Sequence, residues 1–175
     1  MKYTAAERAE LIDRYEKGPV LLREAFAKVP REAWNWRPGA GRWSIHEILA
    51  HCADAEANAA MRIRFLVAEQ KPSIIGFDQN RWATVLDYHQ SRIELALAAV
   101  EVMRAHTTDL LRRLPDEAWV SAGTHTERGP YSAEDWLATY AEHLEKHAGQ
   151  VERNLSTWRQ EQTRPGIEPA HSERG

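Results

Sequence analysis

The feature that most restricts this chain's fold is the spacing of its apolar residues, which recur every three or four positions, with no convincing run of alternation. A period near 3.6 marks one face of an α-helix, whereas a half-buried strand requires a period of two. One stripe runs through Leu11, Tyr15, Leu22, Phe26 and Val29, and a second through Ile48, Cys52, Ala55, Ala59, Ile63 and Leu66. Trp82, Val85, Leu86, His89, Ile93, Leu97, Val100, Leu110 and Leu114 form a third. Leu137, Ala141, Leu144, Ala148, Val151 and Leu155 form the fourth. Four amphipathic helices without strands bury their stripes best as an all-α four-helix bundle. At 175 residues the chain suffices for one domain with one core.

Capping signals and breakers set the expected boundaries. Thr4 with Glu7, and Ser44 with Glu47, are capping boxes, and Ser132 with Asp135 opens the last helix. The first helix should kink or split at Gly18-Pro19, because proline lacks a donor for the Tyr15 carbonyl and crowds it. The second is expected from 44 to about 70, the third as one long helix from about 81 to 114, and the fourth from 132 to about 159. Residues 71–80 read as a long crossover between helices 2 and 3, and 115–130 as a polar loop. The bundle domain is expected over 1–159, with 160–175 a disordered tail containing Pro165, Gly166 and Pro169.

There is also an internal echo. Val29-Pro30-Arg31-Glu32-Ala33-Trp34 resembles Leu114-Pro115-Asp116-Glu117-Ala118-Trp119, and each precedes an aromatic-Ser pair, Trp43-Ser44 or Tyr131-Ser132. The repetition suggests two helical hairpins in a pseudo-twofold bundle.

A net charge of −3 with mixed acids and bases gives no pull towards nucleic acid or an anionic membrane. The single cysteine, Cys52, cannot form an internal disulfide, and no apolar run is long enough to span a bilayer. A cytoplasmic protein acting on a small-molecule substrate, with neither nucleic acid nor membrane as partner, is the expectation. Seven tryptophans imply large buried or pocket-lining surfaces, one of which could serve a homodimer.

The chemistry-bearing residues are histidines. His143 and His147, four apart, stand on one face of a helix about 6 Å apart along its axis, which lets two imidazoles share a metal ion. That spacing alone is a weak signal. His51, at the edge of the apolar arc of a different helix, supplies a third imidazole. Three nitrogen ligands with a fourth position open is the layout of a catalytic-type metal site. Glu47 and Asp54, one turn either side of His51, are candidates to orient it or to act as general base. Of the rest, His125 and His171 read as solvated, His46 and His106 as surface residues, His89 as a core histidine and Cys52 as a small buried hydrophobe.

The segment Trp43-Ser44-Ile45-His46-Glu47-Ile48-Leu49-Ala50-His51-Cys52-Ala53-Asp54, Tyr131-Ser132, and His143-Leu144-Glu145-Lys146-His147 together resemble the motifs of the DinB/YfiT-like superfamily. The resemblance covers about residues 4–159. It implies an up-down-down-up four-helix bundle whose metal ligands are His51, His143 and His147, with zinc or nickel the usual ion. Members include thiol S-transferases, a thiol-dependent isomerase and proteins assigned as metal-dependent hydrolases. The leading expectation is a divalent-metal-dependent S-transferase that activates a low-molecular-weight thiol towards small electrophiles. A hydrolase using an activated water is the close alternative, and a non-catalytic bundle binding metal or a partner is the third.

Overall fold

In the computed structural model, which describes residues 1–163, three helices start on the hydroxyl–carboxylate pairs that the sequence offers. Thr4 and Glu7 cap α1 (Ala5–Ala27), Ser44 and Glu47 cap α2 (Ile45–Ala68), and Ser132 and Asp135 cap α5 (Ala133–Ala141). In each box the hydroxyl accepts the amide three residues on, and the carboxylate accepts the cap's own amide. Two orphaned donors are thereby satisfied at each helix start.

The remaining helices are α3 (Gln79–Val85), α4 (Ile93–Arg112) and α6 (His143–Gln162). Two expected helices are therefore interrupted. The stretch read as one helix over 81–114 stops at Val85, passes through Asp87 in the left-handed region (φ 44°) and a short 3₁₀ turn, Tyr88–Gln90, then restarts at Ile93. The stretch read as one helix over 132–159 breaks for one residue at Glu142. Conversely, α1 continues through Pro19 without the expected split. α6 extends past the expected boundary at 159 to Gln162; His171 and nearly all of the expected tail lie outside the described residues.

Cross-helix pairs fix the course of the bundle. Arg14–Glu145 and Lys28–Glu152 advance together along α1 and α6, so these helices are parallel. Arg23–Glu101 and Arg112–Asp13 run oppositely, making α1 and α4 antiparallel. His46–Ser91 and Glu56–Arg104 make α2 and α4 parallel. The order is up-down-down-up, with α5 and α6 together as the fourth member.

Each of α1 and α2 packs against α4 and against α5–α6, and α1 and α2 face each other across the bundle diagonal. α4 and α5–α6 form the other diagonal. The two echoed segments are thus diagonal connections rather than the turns of side-by-side hairpins. Each does begin alike, with a 3₁₀ turn after proline (Arg31–Ala33 and Asp116–Val120).

The loop expected over 115–130 is partly strand. β2 (Ala122–His125) and β3 (Gly129–Ser132) form a hairpin, and β1 (Ser73–Ile74), from the crossover, pairs in parallel with β2. Gly129 turns the hairpin at φ 74°. At Gly123 a side chain would collide with the Pro72 carbonyl oxygen, at 2.2 Å. No alternation announces this sheet, because its pairing depends on two connections about 50 residues apart meeting at one end of the bundle.

Two large apolar clusters fill most of the interior. One contains Leu22, Ile45, Ile48, Leu97, Val100, Val151 and Leu155; the other contains Ile12, Ile63, Leu66, Leu111, Trp119, Trp136 and Leu137. Among them lies a polar layer, whose members include Glu56, Arg104, the Tyr15 hydroxyl and the three histidines.

Candidate metal centre

The polar layer is organised by an ion pair. Arg104 is 1% exposed and Glu56 0%. The guanidinium grips the carboxylate with both branches, Nε to Oε2 at 2.7 Å and Nη2 to Oε1 at 2.6 Å. The Tyr15 hydroxyl adds a bond to Oε2 at 3.2 Å. Arg104 Nη1 donates to the Tyr15 carbonyl at 2.5 Å and Nη2 to the Tyr140 carbonyl at 3.1 Å.

Both carbonyls sit at helix irregularities. Tyr15 is the residue whose helical donor Pro19 has removed, and Tyr140 precedes the break at Glu142. Gly18 lets the groups close in, since a Cβ there would lie 2.9 Å from Leu144 Cβ and 3.2 Å from Arg104 Nη1. α1 therefore survives its proline because a buried arginine replaces the missing amide. Burial by itself raises a carboxyl's pKa, but Arg104, and His143 beside it, hold Glu56 below the ordinary carboxylate value.

Beside this pair stand the three histidines. The Ser44 cap places His51 in the second turn of α2; His143 opens α6 immediately after the break, and His147 follows one turn later. Ring centroids are 5.6 Å apart for His51–His143, 4.9 Å for His51–His147 and 4.6 Å for His143–His147. One nitrogen from each ring can be chosen so that all three lie within 4.8 Å of one another. Trp43 packs its ring on His51 at 4.7 Å, and the buried Asn154 side chain anchors Trp43 by donating to its carbonyl at 2.9 Å.

Unlike the ion pair, this group is incomplete. His51 is 1% exposed, and neither of its ring nitrogens has a hydrogen-bond partner; His143 Nδ1 is likewise buried and unpartnered. Buried polar atoms are nearly always paired, and leaving one unpaired costs about 1–3 kcal/mol. Burial first, then the neighbouring imidazoles, push the His51 pKa down to about 2. Burial and His143 bring His147 down to about 4. At neutral pH both rings are neutral and carry a lone pair, as a metal ligand must. Three convergent imidazoles, one of them with both ring nitrogens unbonded, fit a divalent cation.

The proposed helpers of His51 are occupied elsewhere. Glu47 caps α2 through the Ser44 amide and pairs with Arg37. Asp54 accepts the Tyr88 hydroxyl at 2.7 Å. The carboxylate nearest an imidazole of the cluster is instead Glu56, whose Oε1 is 3.7 Å from His143 Nδ1.

Other histidines also differ from expectation. His125, read as solvated, is buried in β2 against Tyr131. His46, read as a surface residue, is buried, with Nδ1 on Asn35 and Nε2 on the Ser91 carbonyl. His89 lies at the rim, on the Ser44 hydroxyl at 2.9 Å, rather than in the core. Cys52 is fully buried, as expected, and burial pushes its thiol pKa well up, which keeps it protonated and inert.

Glu56 and Arg104 carried a readable signal that the histidine spacing overshadowed. Arg104 falls four residues after Val100 and seven after Leu97, inside the apolar stripe of α4. A charged side chain in a core stripe requires a buried partner.

Known proteins share this fold. Residues 14–151 match the model of the DinB superfamily. A relative from Oceanobacillus iheyensis, provisionally named a metal-dependent hydrolase, is 28% identical over 142 residues, spanning 81% of this chain and 82% of its own. Another so named, from Bacillus licheniformis, is 27% identical over 149 residues, spanning 83% of each. The solved structure of YfiT from Bacillus subtilis, described as a probable metal-dependent hydrolase with an unusual four-helix bundle topology, superposes with a TM-score of 0.82. It is 21% identical and covers 87% of this chain and 88% of its own, a likeness of fold.

Proposed function

The chain belongs to the DinB superfamily, and on that footing we propose that His51, His143 and His147 hold one divalent cation and that the protein is a metal-dependent hydrolase. The observation that carries the reading is the unmet bonding of the His51 ring, buried within reach of two further imidazoles. Neutral imidazole donors suit zinc or nickel. When bound, such an ion supplies Lewis-acid chemistry at its remaining position, lowering the pKa of a water towards neutrality.

The chain's own residues prepare that position. Trp43, fixed by Asn154, shields His51 from solvent. The Tyr140 ring lies 5.6 Å from that of His143, and its hydroxyl accepts from Arg62 Nη1 at 2.8 Å, leaving its own proton to donate to a substrate oxygen. Arg62 also lines a cavity of about 260 Å³ with Asn58, Met61, Phe65 and Ile75, which can seat a small molecule.

Hydrolysis takes precedence here over thiol transfer, the leading expectation from sequence. The names of the relatives support it, and no side chain among the described residues singles out a thiol.

Metal analysis of the purified protein beside His51→Ala is the first test. One divalent ion per chain, lost in the variant, supports the site; wild type that takes up no ion after reloading overturns it. A screen of activated esters and amides against the loaded protein then tests the reaction. Ion-dependent cleavage lost in His51→Ala supports the hydrolase, whereas conjugation of small thiols to an electrophilic dye without cleavage would restore the transferase.

A further inference from the structure

Each imidazole that meets a metal must put its proton on one ring nitrogen and offer the lone pair of the other; whatever bonds the first nitrogen decides which is which. His147 Nδ1 lies 2.9 Å from the side-chain oxygen of Gln150, one turn along α6. An amide oxygen can only accept, so Nδ1 bears the hydrogen and Nε2 keeps its lone pair.

The same logic applies to His143 through a different acceptor. Its buried Nδ1 faces Glu56 Oε1 at 3.7 Å, and closing by about 0.5 Å brings the pair into hydrogen-bond range. Glu56 has the capacity: Oε1 accepts Arg104 Nη2 and retains a lone-pair site, while Oε2 is taken by Arg104 Nε and Tyr15. Arg104 in turn cannot swing away, because it is bonded to the Tyr15 and Tyr140 carbonyls and lies over the Tyr15 ring at 3.7 Å. The arginine thus fixes the carboxylate, and the carboxylate faces the histidine at the start of α6.

We infer that Glu56 and Gln150 are positioning residues that hold His143 and His147 with hydrogen on Nδ1 and Nε2 turned to the ion, and that Arg104 serves the site by locking Glu56. The inference rests on the three-imidazole metal site proposed above. His51 is the contrasting ligand: neither ring nitrogen is bonded, and it is held by packing on Trp43, so it is the member free to adjust when an ion enters.

Nitrogen-15 correlation spectra of the histidine rings in metal-free wild-type protein test the assignment without any variant. The expected pattern has hydrogen on Nδ1 in both His143 and His147, and hydrogen on Nε2 in either ring would overturn it. Chelator competition with zinc, and the visible spectrum of the cobalt-loaded protein, then test the consequence. Gln150→Leu, half-buried and clear of the ion pair, is expected to weaken metal binding about 10- to 100-fold and shift the cobalt bands. Melting of its metal-free form is expected to match wild type. Glu56→Leu, made together with Arg104→Met so that no buried charge is left unpaired, should release the His143 tautomer. Unchanged affinity in Gln150→Leu together with an unchanged His143 ring in the double variant overturns the inference. If wild type binds no ion, the metal site falls and this inference with it; if one ion binds through Nδ1 of His143 or His147, this inference alone falls.

Discussion

Two polar groups share the middle of this bundle. Glu56 and Arg104 are as buried as His51, and Glu56 lies only about a turn and a half from it along α2. In the first group every strong donor and acceptor is matched: carboxylate to guanidinium, guanidinium to two helix carbonyls, tyrosine hydroxyl to carboxylate. In the second, neither ring nitrogen of His51 has a partner, and that points to a ligand. Burial does not distinguish a structural polar group from a functional one; the degree to which its bonds are satisfied does.

The comparison fails most visibly if the ion pair proves dispensable. Arg104→Met leaves Glu56 as an uncompensated buried charge and strips two carbonyls of their donor, so it should cost about 3–5 kcal/mol in urea unfolding. Adding Glu56→Leu should recover only part of that loss, because the carbonyls of Tyr15 and Tyr140 remain unserved. Full recovery would show that Arg104 does nothing beyond pairing with Glu56.

Next in size is the effect of the ion on wild type. Zinc at a hundredfold excess over its Kd should add about 2.7 kcal/mol, or roughly 5–10 °C in Tm. The gain should vanish in His147→Ala, as read by calorimetry with and without chelator.

A smaller effect of opposite sign sharpens the contrast. In metal-free protein, His51→Leu replaces two unsatisfied buried nitrogens by a methyl-bearing side chain of similar bulk. Stability should hold or rise by about 1–2 kcal/mol, while metal binding is lost. Marked destabilisation would mean that the ring is paired after all.

The smallest effect lies outside both groups, at the α2 cap. Burial raises the Glu47 pKa, but the Ser44 amide and Arg37 outweigh it, so the folded value lies below the ordinary 4.5. Its contribution is fully present above about pH 4.5 and is lost as pH falls through the folded value. Glu47→Gln should therefore cost about 0.3–1 kcal/mol at pH 7 and flatten the acid limb of a stability–pH curve.

Much of the fold was legible because its signals are local. Apolar spacing placed the buried faces of α1, α2, α4 and α5–α6, though Val85 and Leu86 of the third stripe are exposed, and Ser44 and Ser132 placed helix starts to the residue. The sequence likewise points to His51, His143 and His147, and the structure gathers them within 4.8 Å. The carboxylate nearest the cluster was less legible, for an equally physical reason. Glu47 and Asp54 are close to His51 in sequence, whereas Glu56 is tied to Arg104 across 48 residues and faces His143 on another helix. Sequence proximity favours the neighbours on one helix; a carboxylate acts on whatever imidazole the packing brings to it.

What the sequence determined by itself, then, is the apolar stripes of the bundle, three helix caps and the three candidate ligands, since each follows from spacing within a turn or two of chain. Tertiary structure alone decided that α1 and α2 lie on one diagonal and α4 and α5–α6 on the other, that α1 survives Pro19, that α6 begins anew at His143, and that a two-residue strand recruits a hairpin to bury His125. Those outcomes depend on partners supplied from distant chain, above all one guanidinium that satisfies carbonyls on two other helices. Such a bond has value only once the helices are packed, because in water each carbonyl already has a partner.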